Sequence, residues 1–445
     1  IINHLLDPKK MFRLSNTKRV YNLVRRFGSL ERPTKNTDNP NKSEYYMALE
    51  YDYGCHNYHP IPAVISKAKG VHVWDVEGKQ YLDFLSAYSA VNQGHCHPKI
   101  IQTLIDQAQK LPLTSRAFYS DQLGLTEKYL CELFGYEKVL LMNTGVEAGE
   151  SAIKLSRRWA YTIKGIPDNS ATILFANNNF WGRTIAACAS SDDPDRYKQF
   201  GPFGNLGFEL IPFNDVKALE EKFKANPNIA AFMVEPIQGE AGVIIPDDGY
   251  LKKVRELCTK YNVLLICDEV QTGLGRTGKL YASQWDDVKP DIMLLGKATT
   301  GGVYPVSCIL TSKKVMDTIR PGEHGSTYGG NPLGASVCRT ALQVLVEEGM
   351  IENSLKLGKV LFNELKNLKS DFIKEVRGGR GLFCAVEFKE NSKVTATDVS
   401  YALKNNGLLA KPTHGHTIRF SPPLVLTDSQ LSQGLEIIAK TFKSF

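Results

Sequence analysis

The chain has 445 residues, 42% apolar and 23% charged, a composition that fits about two or three globular domains and excludes a disordered or fibrous protein. No apolar run approaches the ~20 residues that cross a bilayer. The net charge of +7 hints at nucleic acid, but ten of the 54 Lys/Arg and three of the 47 Asp/Glu fall in residues 1–43, so the remaining 44 of each sign cancel and the body is formally neutral.

The first segment, 1–43, is an N-terminal extension. Arg13, Lys18, Arg19, Arg25 and Arg26 lie between Met11 and Leu30 with no acid among them, interleaved with Phe12, Leu14, Val20, Leu23, Val24 and Phe27. Such Arg-rich, acid-poor, amphipathic sequence reads as a transit peptide, here mitochondrial. The alternative is a disordered basic arm on a cytoplasmic protein. Residues 1–10 precede a plausible initiator, Met11. No unbroken apolar core follows the charges, which argues against a secretory signal.

Nine cysteines are scattered along the chain without C-x-x-C spacing, so buried free thiols in a reducing compartment are expected. His95-Cys96-His97 are neighbours that cannot all face one ion, and no metal is expected there.

Farther on, apolar runs at 171–176, 229–234, 263–267, 292–295 and 306–310 alternate with amphipathic stretches. That alternation predicts an α/β fold with a mostly parallel sheet flanked by helices. A helix over 147–163 puts Ala148, Ala152, Leu155, Trp159 and Ile163 on one face, and another over 333–348 turns Val337, Ala341 and Leu345 inward. After about residue 345 a polar helix (351–368) leads into short strands at 382–388 and 417–420 and a last helix over 428–441. The expected division is therefore 44–97, packing with a small domain; 98–345, a large domain; and 346–445, a smaller α+β domain.

Two strand ends carry the chemistry. The run 263–267 ends in Asp268-Glu269-Val270-Gln271, and the run 292–295 ends in Gly296-Lys297. Ligands of an open parallel sheet sit in the crevice at these carboxyl ends. An acid and a lysine facing one crevice suit pyridoxal phosphate (PLP), with the lysine anchoring the cofactor's aldehyde and the acid keeping its ring nitrogen protonated. Asn143-Thr144-Gly145-Val146-Glu147, opening a helix, is a candidate phosphate site, or an ordinary N-cap by Thr144. Gly273-Leu-Gly275-Arg-Thr-Gly278 matches a dinucleotide pattern and nearly a Walker A loop. No helix opens at Gly278, no acid follows on a next strand, and Leu280 stands where magnesium needs a hydroxyl, so a flexible turn is expected.

In order, the chain also carries Asn143-Thr144-Gly145-Val146-Glu147-Ala148 with Lys154, Phe180-Trp181-Gly182-Arg183-Thr184, Glu235-Pro236-Ile237-Gln238-Gly239-Glu240, Asp268-Glu269-Val270-Gln271-Thr272-Gly273, Gly296-Lys297-Ala298 and His324-Gly325-Ser326-Thr327-Tyr328-Gly329-Gly330-Asn331-Pro332. This ordered set resembles the fold-type I, class III PLP aminotransferases over roughly residues 45–445. Tyr53-Gly54-Cys55-His56-Asn57-Tyr58-His59-Pro60 and Ser86-Ala87-Tyr88-Ser89-Ala90-Val91-Asn92-Gln93-Gly94 resemble the members that act on ornithine.

The resemblance implies Lys297 as cofactor anchor and general acid/base, Asp268 on the pyridine nitrogen, Gln271 on the ring's phenolic oxygen, Phe180 stacked on the ring, and Gly145 and Val146 on the phosphate. Glu269 is expected to be structural. Ser326 and Thr327 would reach a neighbouring subunit's phosphate, implying a homodimer or higher homo-oligomer. Arg183 would hold a distal carboxylate and Arg419 an α-carboxylate, since arginine forks suit carboxylates. Glu240 would mask Arg419 while ornithine is bound, with Tyr58 helping Arg183 and Tyr88 shaping the pocket. The implied substrates are ornithine and 2-oxoglutarate. Acetylornithine or 4-aminobutyrate transamination, PLP-dependent decarboxylation or racemisation, and a non-catalytic nucleic-acid-binding relative stand as alternatives.

Overall fold

The computed structural model describes residues 31–445; the transit segment read at 11–30 lies outside the described residues. The chain forms two compact units, one running up to Ile65 with Asp75–Gly78, the other Ser66–Trp74 with Lys79–Phe445. In the first, a helix (Ser43–Tyr53) is secured at its start by Glu77, which accepts the Ser43 N–H at 3.2 Å. Arg32 grips Asp52 through two 2.7 Å hydrogen bonds.

The second unit is built on a seven-stranded sheet: β1 (Lys138–Met142), β2 (Thr172–Ala176), β3 (Phe208–Ile211), β4 (Ile229–Val234), β5 (Leu264–Asp268), β6 (Ile292–Leu295) and β7 (Ser307–Thr311). The order across the sheet is β1-β7-β6-β5-β4-β2-β3. Only β7 runs antiparallel to its neighbours.

Continuous apolar runs form strands here because both faces are covered. Ile173, Phe175, Met233 and Ile266 pack with Ala148, Ala152, Leu155 and Trp159 of helix Gly145–Trp159. Their neighbours Leu174, Phe232, Leu265 and Cys267 pack on the other face with Leu251, Val254 and Cys258 of helix Tyr250–Lys260. The period-2 alternation of the pleat thus splits each run between two cores.

The expectation for Ile163 is overturned. The helix gives way to a π-turn at Ala160–Lys164, whose wider repeat rotates later residues off the α-helical stripe, and Ile163 is 40% exposed. Of the nine cysteines, Cys55 and Cys96 are exposed, Cys131 is partly buried and six are buried. His95 and His97 turn to different carboxylates, Asp83 at 2.7 Å and Glu348 at 3.1 Å.

The C-terminal region carries the antiparallel strands Ile373–Arg377, Cys384–Phe388, Thr417–Phe420 and Pro412–Thr413, between helices Met350–Lys366 and Asp428–Phe442. Leu408–Leu409 pairs in parallel with Gln80–Asp83.

The glycine-rich segment after β5 is a turn, but a buried one: residues 271–278 are all buried. Gly275 and Gly278 take φ +82° and +77°, which favours glycine, and a Cβ on Gly278 would meet the Leu355 backbone at 2.9 Å. Layers above it are equally close. A Cβ on Gly381 would lie 2.4 Å from the Arg276 carbonyl, and one on Gly358 would lie 2.1 Å from the Gly381 carbonyl. Gly358→Ala is therefore expected to destabilise the protein by about 1–3 kcal/mol through overpacking. Calorimetry would show a lowered midpoint; an unchanged one would contradict the contact.

Candidate active site

Adjacent parallel strands β4, β5 and β6 each end in a charged side chain, Glu235, Asp268 and Lys297. Glu235 and Asp268 are buried. The oxygens of Glu235 accept the N–H groups of Phe180 and Gly239, each at 3.0 Å. Burial, then the charge of Asp268, pushes its carboxyl up to about 8. Burial likewise raises Asp268 to about 6, opposed by the Val270 N–H at 3.0 Å and by the charge of Lys297. Lys297 is lowered to about 8 by burial, with Asp268 acting in the opposite direction. Its backbone is left-handed, φ 51°. An amine poised near neutrality beside an acid that favours a cation is suited to proton transfer.

Glu269, adjacent to this group, is a structural anchor. It accepts the Thr272 hydroxyl at 2.6 Å and the N–H groups of Ala282 and Ser283 at 2.8 Å.

The start of helix Gly145–Trp159 meets these strand ends through Val270, whose side chain lies 3.0 Å from where a Cβ on Gly145 would stand and 3.2 Å from one on Gly296. Thr144 and Glu147 form a capping box. The Glu147 carboxylate takes the N–H groups of Asn143 and Thr144 at 2.9 and 2.7 Å. Those of Gly145 and Val146 have no intrahelical acceptor and are available to an anion. Gly182 fits against Val146, where a Cβ would come within 2.2 Å. This brings the 180–183 loop to the helix start.

Phe180 carries the Arg196 guanidinium 4.6 Å from its ring centroid and that of Arg183 at 5.7 Å. Gln271 is pressed against Gly239, where a Cβ would stand 2.0 Å from its Oε1.

A second charge centre lies beside the first. Arg419, 2% exposed on strand Thr417–Phe420, pairs with Glu240 at 3.0 Å and donates to the Gly239 carbonyl at 3.1 Å. Thr413 donates to the Glu240 carbonyl at 2.9 Å. Despite burial, the charges of Arg419 and then Lys297 hold the Glu240 carboxyl below its usual range. The Arg419 guanidinium stands 5.2 Å from the Tyr88 ring centroid, a cation–π contact.

Tyr88 sits in an unusual segment. Ser86, Ala87, Tyr88 and Ser89 all have positive φ, 44°, 47°, 59° and 71°, forming one left-handed turn without glycine. Such a conformation costs roughly 1–2 kcal/mol per residue.

The site residues read from the sequence thus fall into connected groups: Lys297, Asp268, Gly145, Val146 and Gln271; Phe180 with Arg183; Glu240, Arg419 and Tyr88. Arg183 is exposed. Ser326 accepts from Asn143 at 2.9 Å, and Thr327 is exposed. Tyr58 belongs to the N-terminal unit, where it is exposed.

Sequence reasoning assigned no role to Glu235 or Arg196. Glu235 ends strand 229–234 as Asp268 ends its own, so the same strand-end rule would have found it. Arg196, buried, donates to the Asn179 carbonyl at 2.6 Å, and its sequence context carries no comparable signal.

The depressed lysine gives a direct test. In cofactor-free protein, acylation of Lys297 should rise with pH around a midpoint of about 8, against about 10.4 for an exposed lysine. Asp268→Asn should lower the midpoint further, because the carboxylate favours the ammonium. A wild-type midpoint above 10 would contradict the burial argument.

Comparisons with known proteins agree with this geometry. The Aminotransferase class-III profile matches residues 53–442. The mitochondrial ornithine aminotransferase of Drosophila melanogaster is 60% identical over 403 residues, 91% of this chain and 92% of the relative. The solved ornithine aminotransferase of Toxoplasma gondii, with PLP partially occupying its active site, superposes with a TM-score of 0.89 at 48% identity, covering 97% of this chain and 98% of its own. An acetylornithine aminotransferase structure from Elizabethkingia anophelis gives 0.83 at 51% identity, covering 91% and 99%. On these matches the chain belongs to the class-III aminotransferases, PLP-dependent transaminases of fold-type I.

Proposed function

We propose that the chain transfers the δ-amino group of L-ornithine to 2-oxoglutarate, giving L-glutamate 5-semialdehyde and L-glutamate in two successive half-reactions. The observation that carries this reading is the buried Arg419–Glu240 pair at 3.0 Å beside Lys297 and Asp268. Relatives named ornithine aminotransferase support it.

The residues fit PLP by their chemistry. A buried carboxylate faces the crevice with a lysine whose charge is disfavoured. A helix start offers N–H groups at a glycine where a Cβ would lie 3.0 Å from the Val270 side chain. When bound, PLP supplies the electron sink for the bond broken at the amine-bearing carbon.

Lys297 anchors the cofactor, and its Nζ then takes the proton from ornithine Cδ, or from glutamate Cα in the reverse of the second half-reaction, and redelivers it. Asp268 would keep the ring nitrogen protonated by opposite charge. Gln271, Phe180, Gly145 and Val146 would help hold the cofactor, the last two by offering their N–H groups to its phosphate.

Substrate choice rests on electrostatics. With Glu240 on Arg419, the guanidinium is neutralised and ornithine's carboxylate goes to Arg183, which presents the δ-amine to Lys297. Tyr88 limits the pocket above Arg419. When a dicarboxylate enters, Glu240 swings off, and Arg419 takes the α-carboxylate while Arg183 takes the distal one.

We further propose a homodimer in which Ser326 and Thr327 reach the partner's phosphate. Exposed Phe118, Tyr119 and Tyr328 support a covered face here. The mitochondrial matrix is the proposed location, supported by the basic segment 11–30 and by the mitochondrial fly relative.

Incubation with ornithine and 2-oxoglutarate should yield the semialdehyde, trapped in its cyclised form, and Lys297→Ala should abolish it. If kcat/KM for acetylornithine or 4-aminobutyrate exceeds that for ornithine, the substrate assignment is wrong. Glu240→Ala should lower kcat/KM for the ornithine half-reaction at least about tenfold and spare the glutamate half-reaction, because it removes the mask and not the carboxylate site. Equal losses in both would contradict masking.

A further inference from the structure

The largest fully buried side chains include an arginine outside the chemistry described so far, Arg276, at 0% exposure. It comes from the glycine-rich turn that resembled a nucleotide loop. Its guanidinium has no carboxylate among its hydrogen-bond acceptors. Instead Nη1 donates to the carbonyls of Leu382 and Pro422, at 2.9 and 2.6 Å. Nη2 donates to the Ser86 hydroxyl and the Asn92 side-chain oxygen, at 2.9 and 2.6 Å. The nearby Asp83 carboxylate favours its charge but accepts no hydrogen bond from it, and burying a guanidinium without a hydrogen-bonded counter-ion is unfavourable, so its retention calls for a physical reason.

Those acceptors lie on both sides of the Tyr88–Arg419 contact. Ser86 opens the left-handed turn that carries Tyr88, and Pro422 follows Arg419 by three residues. The two segments are also tied directly. Ser86 donates to the Ser421 carbonyl at 2.6 Å, and the Ser421 N–H donates to the Phe84 carbonyl at 2.8 Å. Asp83 accepts the Ser86 N–H at 2.8 Å. A left-handed run of Ser-Ala-Tyr-Ser has no glycine to ease it, so outside contacts must hold it.

We propose that Arg276 is a positioning residue that holds the turn Ser86–Ser89 in its left-handed form and so keeps Tyr88 against Arg419, setting the preference for the δ-amine of ornithine over the α-amine of glutamate. The planar fork matters. Four N–H bonds leave in two directions, a geometry that the point charge of lysine cannot reproduce. When the clamp is lost, the turn relaxes toward ordinary backbone, the ring leaves Arg419, and ornithine's own carboxylate gains room to compete with Glu240 for the arginine. Ornithine then binds with the wrong amine over Lys297. This inference rests on the proposed roles of Arg419 and Tyr88.

The test is the ratio of kcat/KM values for the ornithine and glutamate half-reactions, read from the cofactor's absorbance change in single turnovers of the holoenzyme. Arg276→Lys and Ser86→Ala should each lower that ratio about tenfold. Adding Ala87→Gly to Arg276→Lys should restore much of it, because glycine takes the left-handed form without strain; a general loss of stability would not be rescued in this way. Tyr88→Ala is the reference. If it lowers the ratio while Ser86→Ala and Arg276→Lys leave it unchanged, Arg276 has no positioning role and the reading of Tyr88 stands. If Tyr88→Ala itself leaves the ratio unchanged, the role of Tyr88 fails and the clamp with it. Should Arg276→Lys not fold, Arg276→Gln takes its place in the same comparison, because Ser86→Ala also removes the direct Ser86–Ser421 bond.

Discussion

Everything in this site depends on removing charged groups from water at the carboxyl ends of three adjacent strands. Burial raises Glu235 and Asp268 and lowers Lys297, and each influences the others because little solvent intervenes to screen them. The arrangement pushes acids and amine toward each other's range, where proton exchange needs little driving force. A cation placed against Asp268 would be held in its charged form and would pull the carboxyl down in return. Glu235 adds a mechanical link. Its two oxygens hold the loop bearing Phe180 and the loop bearing Gly239, so Phe180 and the neighbour of Glu240 share one anchor.

The second centre uses the same physics in another way. Arg419 is buried deeply enough that an unpaired guanidinium would be expensive. Glu240 and the Gly239 carbonyl satisfy part of it, while its Nε has no partner. A carboxylate ligand can therefore take Glu240's place with limited penalty, since one anionic partner replaces another. On the proposed reading, that exchange would let a single pocket handle substrates with one carboxylate and with two.

Much of this was legible in the sequence, and the reasons are specific. The runs 229–234 and 292–295 match β4 and β6 because strands buried on both faces carry unbroken apolar sequence. Asp268 and Lys297 stood out because a charge directly after such a run has a defined place in a parallel sheet. Glu235 obeys the same rule and was passed over. Ile163 was misplaced because a π-turn interrupts the 3.6-residue period that put it inward. The left-handed turn at Ser86–Ser89 could not be read, since its residues favour ordinary backbone and the contacts to Ser421 and Arg276 that help hold it otherwise are distant in sequence. Arg276 was hidden for a related reason: its partners Ser86, Asn92, Leu382 and Pro422 come from 106 or more residues away, and its glycines suggested a different ligand.

The close approach at Gly239 bears on how this scaffold could acquire new substrates. A Cβ there would stand 2.0 Å from the Gln271 Oε1, while at residue 240, next along, the carboxylate is held chiefly by Arg419 at 3.0 Å. The loop is therefore frozen at one position and open to variation at the following one. A lineage or a designer seeking a different amine donor would begin at 240, where exchange alters only what covers Arg419, and would leave the ring's own setting untouched.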